Sequence, residues 1–226
     1  MKEQLKKNKA NIEYIVKENI SKNTPSPTIV AVTKSVDSKT MELLYQAGQR
    51  HFAENRPDML ISKKESLSHL GDDIIWHFIG NLQSRPVRKI INDIDYLHSL
   101  DRMSLAKEIQ KRADKTINCF LQVNVSGENS KSGFKPEELS QTIEDMSQYD
   151  KINIVGLMTM APIDATEEEL HQYFGELKSL QENIQKLALP YAPCTELSMG
   201  MSQDYPIATQ EGATYLRIGS AFFKNI

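Results

Sequence analysis

The sequence predicts a single α/β domain over residues 1–226, a (β/α)8 barrel in which eight parallel strands alternate with helices. Short apolar runs rich in β-branched residues recur with amphipathic helical stretches between them, which is typical of repeated βα units. Eight such runs occur, and no break rich in Pro, Gly or Ser divides the chain. A closed barrel is therefore favoured, with an open doubly wound sheet as the alternative.

The predicted strands are short, and residues 29–33 are apolar enough to be buried on both faces, as in a parallel sheet. A helix predicted at residues 3–21 has no strand before it, so we expect an additional helix packed against the barrel. The eight strands are predicted at residues 28–33, 51–54, 74–79, 96–99, 117–125, 154–159, 196–198 and 214–218.

Two helix starts are marked by residues that suit a first turn. Pro136 precedes a pair of glutamates, and Thr166 with Glu169 matches a capping box. The helix after Thr166 has apolar residues at spacings of three and four, which predicts one buried stripe rather than a ligand-binding face. The stripe consists of Leu170, Tyr173, Phe174, Leu177, Leu180, Ile184 and Leu187.

The composition is that of an ordinary globular protein and excludes several functional classes. A net charge of −3 gives no indication of a nucleic-acid partner. Cys119 and Cys194 are far apart and the histidines lack ligand-like spacing, so no metal site or disulfide framework is expected. No segment is apolar and long enough for a signal peptide or membrane span, and we therefore expect a cytoplasmic protein.

Reactive groups in a βα barrel lie at the carboxyl ends of the strands, and Lys34 directly follows the first strand. A lysine in a partly apolar site can lower its pKa and form a Schiff base with an aldehyde. The position alone also fits a surface lysine that opens a loop.

The loops after strands seven and eight are candidates for a phosphate site. Gly219 and Ser220 end the last strand, and residues 197–204 form a second turn rich in Gly and Ser. Backbone amides at such turns and nearby hydroxyls suit an anion, and these two loops form the recurrent phosphate site of barrels. Each motif alone is also explained by a tight βα turn.

Polar residues also occur in or directly after strands two and three. Asn55 precedes Arg56 and Pro57, so it fits a helix N-cap as well as a ligand contact. His77 lies within strand three beside Trp76, where a hydrogen-bonded core histidine is expected. The other histidines show no ligand-like spacing with one another or with the cysteines, and they are His51, His69, His98 and His171.

Taken in order along the chain, these motifs resemble those of the pyridoxal phosphate homeostasis proteins, whose fold is related to the barrel domain of alanine racemase. The resemblance spans nearly the whole chain. It is carried by Ala-Val-Thr-Lys at 31–34, Ala-Glu-Asn at 53–55, Trp-His-Phe-Ile-Gly-Asn-Leu-Gln at 76–83, Gly-Leu-Met-Thr-Met at 156–160, Leu-Ser-Met-Gly-Met-Ser at 197–202 and Leu-Arg-Ile-Gly at 216–219.

The resemblance implies a TIM barrel that holds pyridoxal 5′-phosphate (PLP) as a Schiff base on Lys34. It also implies that Arg217 faces the pyridine nitrogen. Since arginine does not give up its proton, the ring would stay unprotonated and withdraw electrons poorly. The remaining cofactor contacts that we expect are Asn55 and, for the phosphate, Ser198, Met199, Gly219 and Ser220.

Two functions fit this resemblance. The first is a carrier in vitamin B6 homeostasis that binds PLP without turnover, with apo forms of PLP-dependent enzymes as partners and a monomeric or weakly dimeric state. The second is an amino-acid racemase or decarboxylase. Such enzymes add a β-domain that supplies a second proton-transfer group. In this sequence seven residues follow Gly219, which comes directly after the last predicted strand, so we expect the carrier.

Overall fold

Eight parallel strands close into a barrel in which spatial order follows chain order, as a computed structural model of residues 1–226 shows. The first strand pairs with the second and also with the last, with Thr28 opposite Tyr215. The predicted barrel is therefore confirmed and the open sheet is excluded. The strands are Thr28–Val32 (β1), His51–Glu54 (β2), Ile75–Phe78 (β3), Tyr96–Leu100 (β4), Ile117–Gln122 (β5), Ile152–Met158 (β6), Glu196–Ser198 (β7) and Tyr215–Ile218 (β8).

Eight α-helices surround the strands. The first precedes β1, as predicted, and it packs against the helices at residues 38–46 and 205–210. Its Asn8 Nδ2 donates to Phe222 O and Lys224 O, both at 2.8 Å. None of the helices has the length and apolar character needed to cross a bilayer. They are Lys2–Asn19 (α1), Ser38–Gln46 (α2), Pro57–Ser66 (α3), Ser84–Ile90 (α4), Met103–Arg112 (α5), Leu139–Met146 (α6), Glu167–Gln185 (α7) and Tyr205–Gln210 (α8).

The predicted start of α7 is confirmed, because Thr166 Oγ1 accepts from the Glu169 amide and the Glu169 carboxylate accepts from the Thr166 amide. Pro136 opens a short 3-10 turn, Pro136–Glu138, that leads into α6. Both starts are local motifs, which is why residue spacing alone predicts them.

Two strand ends differ from their predicted positions by more than one residue. The strand predicted at 117–125 ends at Gln122, because Gln122 O and the Asn124 amide pair with Phe134 in the following loop. The strand predicted at 154–159 begins at Ile152, because Asn153 bonds to Asn118 on β5 at 3.0 Å. A polar residue that interrupts an apolar run is thus kept in the strand by its cross-strand partner.

Side chains alternate between the two faces of each strand, and this divides the core into two layers. Outward residues such as Phe52 and Leu97 pack against the helices in one large apolar cluster. A small apolar cluster fills the barrel interior, and the same interior holds buried histidine, serine and arginine side chains. The inner cluster contains Val30, Val32, Ala53, Phe120, Met158 and Tyr215.

Candidate functional site

A cavity of about 390 Å³ opens at the carboxyl ends of the strands, where β1, β2, β3 and β8 meet. Its size lies in the range typical of small-molecule sites. Five of the seven residues predicted from the sequence line it, namely Lys34, Asn55, Arg217, Gly219 and Ser220. Ser198 and Met199 do not.

Lys34 lies in the exposed turn directly after β1 and lines the cavity. Two backbone hydrogen bonds hold this turn. The Thr33 amide donates to Ala53 O at 3.0 Å, and the Val36 amide donates to Thr33 O. Lysines such as Lys64 are held in ion pairs, whereas Lys34 forms none. Its amine is therefore presented to the cavity on a rigid support.

A buried ion pair lies beneath this turn, between Glu54 at the end of β2 and Lys63 on α3. Lys63 Nζ is 2.5 Å from Glu54 Oε1 and also donates to Thr33 O at 2.7 Å. Thr33 Oγ1 donates to the same carboxylate oxygen at 2.6 Å. Removing one partner from such a pair costs about 3–5 kcal/mol. The pair ties together the two strand ends that carry Lys34 and Asn55, and sequence spacing gave no signal for Lys63.

Asn55 follows β2 and lines the cavity, with the loop after β3 pressed against its backbone. A Cβ on Gly80 would lie 2.1 Å from Asn55 O, so only glycine allows this approach. The alternative role of Asn55 as a helix N-cap is wrong. Arg56 occupies that position and Pro57 begins α3, and no side chain caps the helix there.

Two backbone amides converge at the side of the cavity formed by the last two βα loops. The amides of Gly219 and Ala221 both donate to Ser202 Oγ, each at 3.2 Å. Two donors directed at one oxygen form the arrangement that an anionic oxygen requires. These amides and the Ser220 hydroxyl lie in the region where the sequence predicts a phosphate contact, and Ser202, which was not among the predicted residues, also lines the cavity.

The structure does not bring Ser198 and Met199 to this region. Ser198 is still within β7 and its side chain faces the barrel interior, while the Met199 amide is used by Tyr215 O and its side chain is buried. The chain then turns at Gly200, where φ is +99° and a Cβ would lie 2.6 Å from the Ala208 Cβ. The loop reaches the cavity only after this glycine. The serine of the motif that lines the cavity is therefore Ser202 rather than Ser198.

Arg217 forms the inner end of the cavity and is almost completely buried. Nη1 donates to Ser198 Oγ at 2.5 Å and Nη2 donates to Thr159 O at 3.0 Å. Burial lowers the pKa of Arg217 to about 10, and the carboxylate of Asp204 partly offsets this. The guanidinium therefore remains charged at neutral pH, and three of its five N–H groups form no hydrogen bond within the protein.

Three imidazoles continue from Arg217 through the barrel interior. His98 Nδ1 lies 2.7 Å from Ser198 Oγ, His98 Nε2 lies 2.8 Å from His77 Nδ1, and His77 Nε2 lies 2.9 Å from His51 Nδ1. The prediction that His77 is a hydrogen-bonded core histidine is confirmed. The row was missed because its members lie on three neighbouring strands, where spacing along the chain carries no information.

The two inner imidazoles predict how stability depends on pH. Burial lowers the pKa of both His77 and His98 well below the ordinary 6.5, so below that pH the unfolded chain binds more protons than the folded one. The free energy of unfolding should therefore fall as pH drops from 6.5, by about 1.4 kcal/mol per pH unit for each imidazole. Urea unfolding at pH 7.5, 6.5 and 5.5 measures this slope.

The exposed residue His69 provides the control, because His69→Gln should leave the slope unchanged. Equal stability of the native chain at pH 6.5 and 5.5 would contradict the neutral state of the buried pair.

Comparison with known proteins identifies the family. The model of the family "Alanine racemase, N-terminal domain" matches residues 5–225. The pyridoxal phosphate homeostasis protein of Synechocystis is 38% identical over 213 residues, which cover 92% of this chain and 96% of that protein. PipY of Synechococcus elongatus, in a structure with PLP bound, is 33% identical with a TM-score of 0.86, over 97% of this chain and 99% of that one.

Alanine racemase of Corynebacterium glutamicum shares the fold at 14% identity, with a TM-score of 0.75. The match covers 98% of this chain and 61% of the racemase, so the two have the barrel in common and the racemase extends beyond it. By contrast, the homeostasis relatives are matched over nearly their whole length. The chain therefore belongs to the pyridoxal phosphate homeostasis protein family.

Proposed function

We propose that this chain binds PLP in the strand-end cavity through Lys34 and serves PLP homeostasis as a carrier without catalytic turnover. The observation that carries the proposal is the placement of three complementary groups around one cavity. A free lysine amine, two converging backbone amides and a buried guanidinium correspond to the aldehyde, the phosphate and the pyridine ring of PLP. When bound, PLP supplies an aldehyde that combines with a primary amine and a ring that withdraws electrons.

Each group has a separate task in this proposal. Lys34 would hold the cofactor covalently, and the amides of Gly219 and Ala221 with the Ser220 hydroxyl would hold its phosphate. Asn55 also lines the cavity and is a further proposed contact. Arg217 would face the ring nitrogen as a donor, and its proton remains in place because its pKa of about 10 is well above neutral pH.

The alternative function is an amino-acid racemase or decarboxylase, and the lining of the cavity argues against it. Both reactions require groups that move protons at the substrate carbon. Among the twelve residues that line the cavity, Lys34 and Arg217 are the only ionisable ones, and an arginine is a poor proton-transfer group. A two-base reaction thus lacks its second group here.

A carrier of this kind would deliver PLP to apo enzymes that depend on it, and we propose those enzymes as its partners, with the chain itself a monomer or weak dimer. The cytoplasm is the compartment that we propose. Cys119 and Cys194 are both buried free thiols, and burial raises the pKa of both, to about 12 for Cys194. Unpaired cysteines of low reactivity fit a reducing compartment.

The direct test is chemical trapping. Protein incubated with PLP should show a visible absorption band that borohydride removes, and peptide mass mapping should then find the cofactor mass on the peptide that contains Lys34. Cofactor fixed to several surface lysines in similar amounts, with little on Lys34, would overturn the proposal.

A turnover assay separates the carrier from the enzyme. PLP-loaded protein incubated with a panel of L-amino acids in D₂O should give no racemisation, carbon dioxide or α-proton exchange at enzymatic rates, because the cavity lacks a second proton-transfer group. An alanine racemase in the same assay serves as the positive control. Turnover of about one per second or faster that disappears in Lys34→Ala would establish the enzyme instead.

A further inference from the structure

A continuous row of polar side chains occupies the centre of the barrel, where bulky branched aliphatic residues normally lie. The row consists of Arg217, Ser198, His98, His77 and His51, which we call the imidazole row. Its consecutive contacts are 2.5, 2.7, 2.8 and 2.9 Å, and it runs from the cavity to the first residue of β2. Apolar side chains of similar volume could fill this space without the cost of burying polar groups. The row therefore calls for a role beyond packing.

The donors along the row all point one way. Arg217 has only donors, so the Ser198 oxygen accepts from it and the Ser198 hydroxyl must donate to His98 Nδ1. A neutral His98 then carries its proton on Nε2 and donates to His77 Nδ1. By the same reasoning His77 donates to His51, whose own Nε2–H lies at the half-buried end of the row.

This polarity has two consequences. Every imidazole nitrogen inside the row is already used, either as a donor or as an acceptor, so an added proton finds no lone pair without breaking a contact. The row also ends at a guanidinium that does not release its proton, so it is not a route for protons into the cavity. What remains is a fixed and uncharged support for Ser198 and, through it, for Arg217.

The rings are held by packing as well as by hydrogen bonds. His77 is stacked on Tyr96 with centroids 4.7 Å apart, and His98 is stacked on Phe120 at 4.4 Å. The hydroxyls of Tyr96 and Tyr215 lie 3.3 Å apart beside the row, and Asp95 is the acidic group whose charge acts on His51. Each of the two inner rings is therefore held by an aromatic neighbour as well as by its hydrogen bonds.

We propose that His98, His77 and His51 are positioning residues that act through Ser198 to hold the Arg217 guanidinium toward the ring nitrogen of bound PLP. The inference rests on the proposed function, because it assigns Arg217 to the ring. Ser198 would then be a support behind the cavity rather than a phosphate contact. Thr159 O is the only other group in the structure that orients the guanidinium, and one hydrogen bond does not fix a plane.

The test compares His98→Phe, which keeps a ring to stack on Phe120 but removes the acceptor for Ser198, with His98→Asn, whose Oδ1 can still accept. In protein loaded with PLP carrying ¹⁵N in the ring, His98→Phe should shift the ring ¹⁵N resonance and raise the Kd for PLP by about tenfold. The ³¹P resonance of the phosphate should stay in place. His98→Asn should restore most of the native ¹⁵N shift.

Leu97→Ala is the matched control, since it removes an outward-facing side chain from the strand that carries His98 without touching a contact of the row, and it should lower the melting temperature while leaving the ¹⁵N resonance unchanged. If His98→Phe does not fold, Ser198→Ala replaces it as the test, because it removes the oxygen that links Arg217 to His98. It should shift the ring ¹⁵N resonance in the same way. A native ¹⁵N shift and Kd in the folded variant would overturn the inference. Failure of native protein to bind PLP on Lys34 would instead overturn the proposed function.

Discussion

Lys34→Ala is expected to abolish covalent retention of PLP completely while the barrel stays folded. Lys34 is exposed and forms no ion pair, so its side chain contributes reactivity and little packing. The ion pair and hydrogen bonds that shape its turn involve Thr33, Glu54 and Lys63, and none of these changes in the variant. The free energy of unfolding should therefore change by no more than about 0.5 kcal/mol.

The measurement combines the visible spectrum with PLP, borohydride trapping and peptide mass mapping, and urea unfolding checks the fold. Lys39→Ala on α2 is the control, because this lysine is also exposed and lies a few residues away but does not line the cavity. It should behave like the native chain. If Lys34→Ala kept the native absorption band and a borohydride-fixed adduct on another lysine, Lys34 would not be the anchor.

Removal of the phosphate from the ligand is expected to weaken binding by about a hundredfold or more. Backbone amides that donate to an ionised phosphate form charge-assisted bonds. In the proposed site a phosphate oxygen takes the place of Ser202 Oγ as the acceptor of the Gly219 and Ala221 amides, which gives two such bonds. At about 1.5 kcal/mol for each bond, their loss gives this factor. Titration of the native chain with PLP and with pyridoxal, followed by absorbance, compares the two Kd values.

Two variants sharpen this result. Ser220→Ala removes a hydroxyl that lines the cavity and should weaken PLP but leave pyridoxal binding nearly unchanged. Ser84→Ala, at the start of α4, should affect neither ligand. Inorganic phosphate should also compete with PLP. Similar Kd values for PLP and pyridoxal would remove the phosphate region from the account of binding.

The parts of the structure that depend on neighbours along the chain could be predicted from the sequence. Strand β2 has its predicted bounds, and the capping box at Thr166 forms as its spacing indicates. Lys34 and Gly219 reach the cavity because a parallel barrel brings all strand ends to one face. In each case a local pattern and a general property of the fold suffice.

The parts that depend on pairing between distant segments could not be predicted. Ser198 and Lys34 both lie at strand ends, but Ser198 is the last residue within β7 and faces inward, whereas Lys34 has already left β1. Lys63 looks like an ordinary helix lysine until α3 is packed over Glu54. The contact between His77 and His98 exists only because β3 and β4 are neighbours.

The pairing of β1 with β8, which closes the barrel and which we call the seam, has a consequence for release of the cofactor. The cavity straddles this seam, with Lys34 on one side and Gly219 and Ser220 on the other, and Asn8 fastens the segment after β8 to α1 across 214 positions of the chain. A ligand that contacts both sides stabilises the closed seam by the difference between its free energies of binding to the closed and to the open state. By linkage, whatever loosens the seam lowers the affinity for PLP to the same extent. In the proposed carrier role, a recipient enzyme that engages the two ends of the chain and loosens the seam would therefore promote release of PLP without entering the cavity.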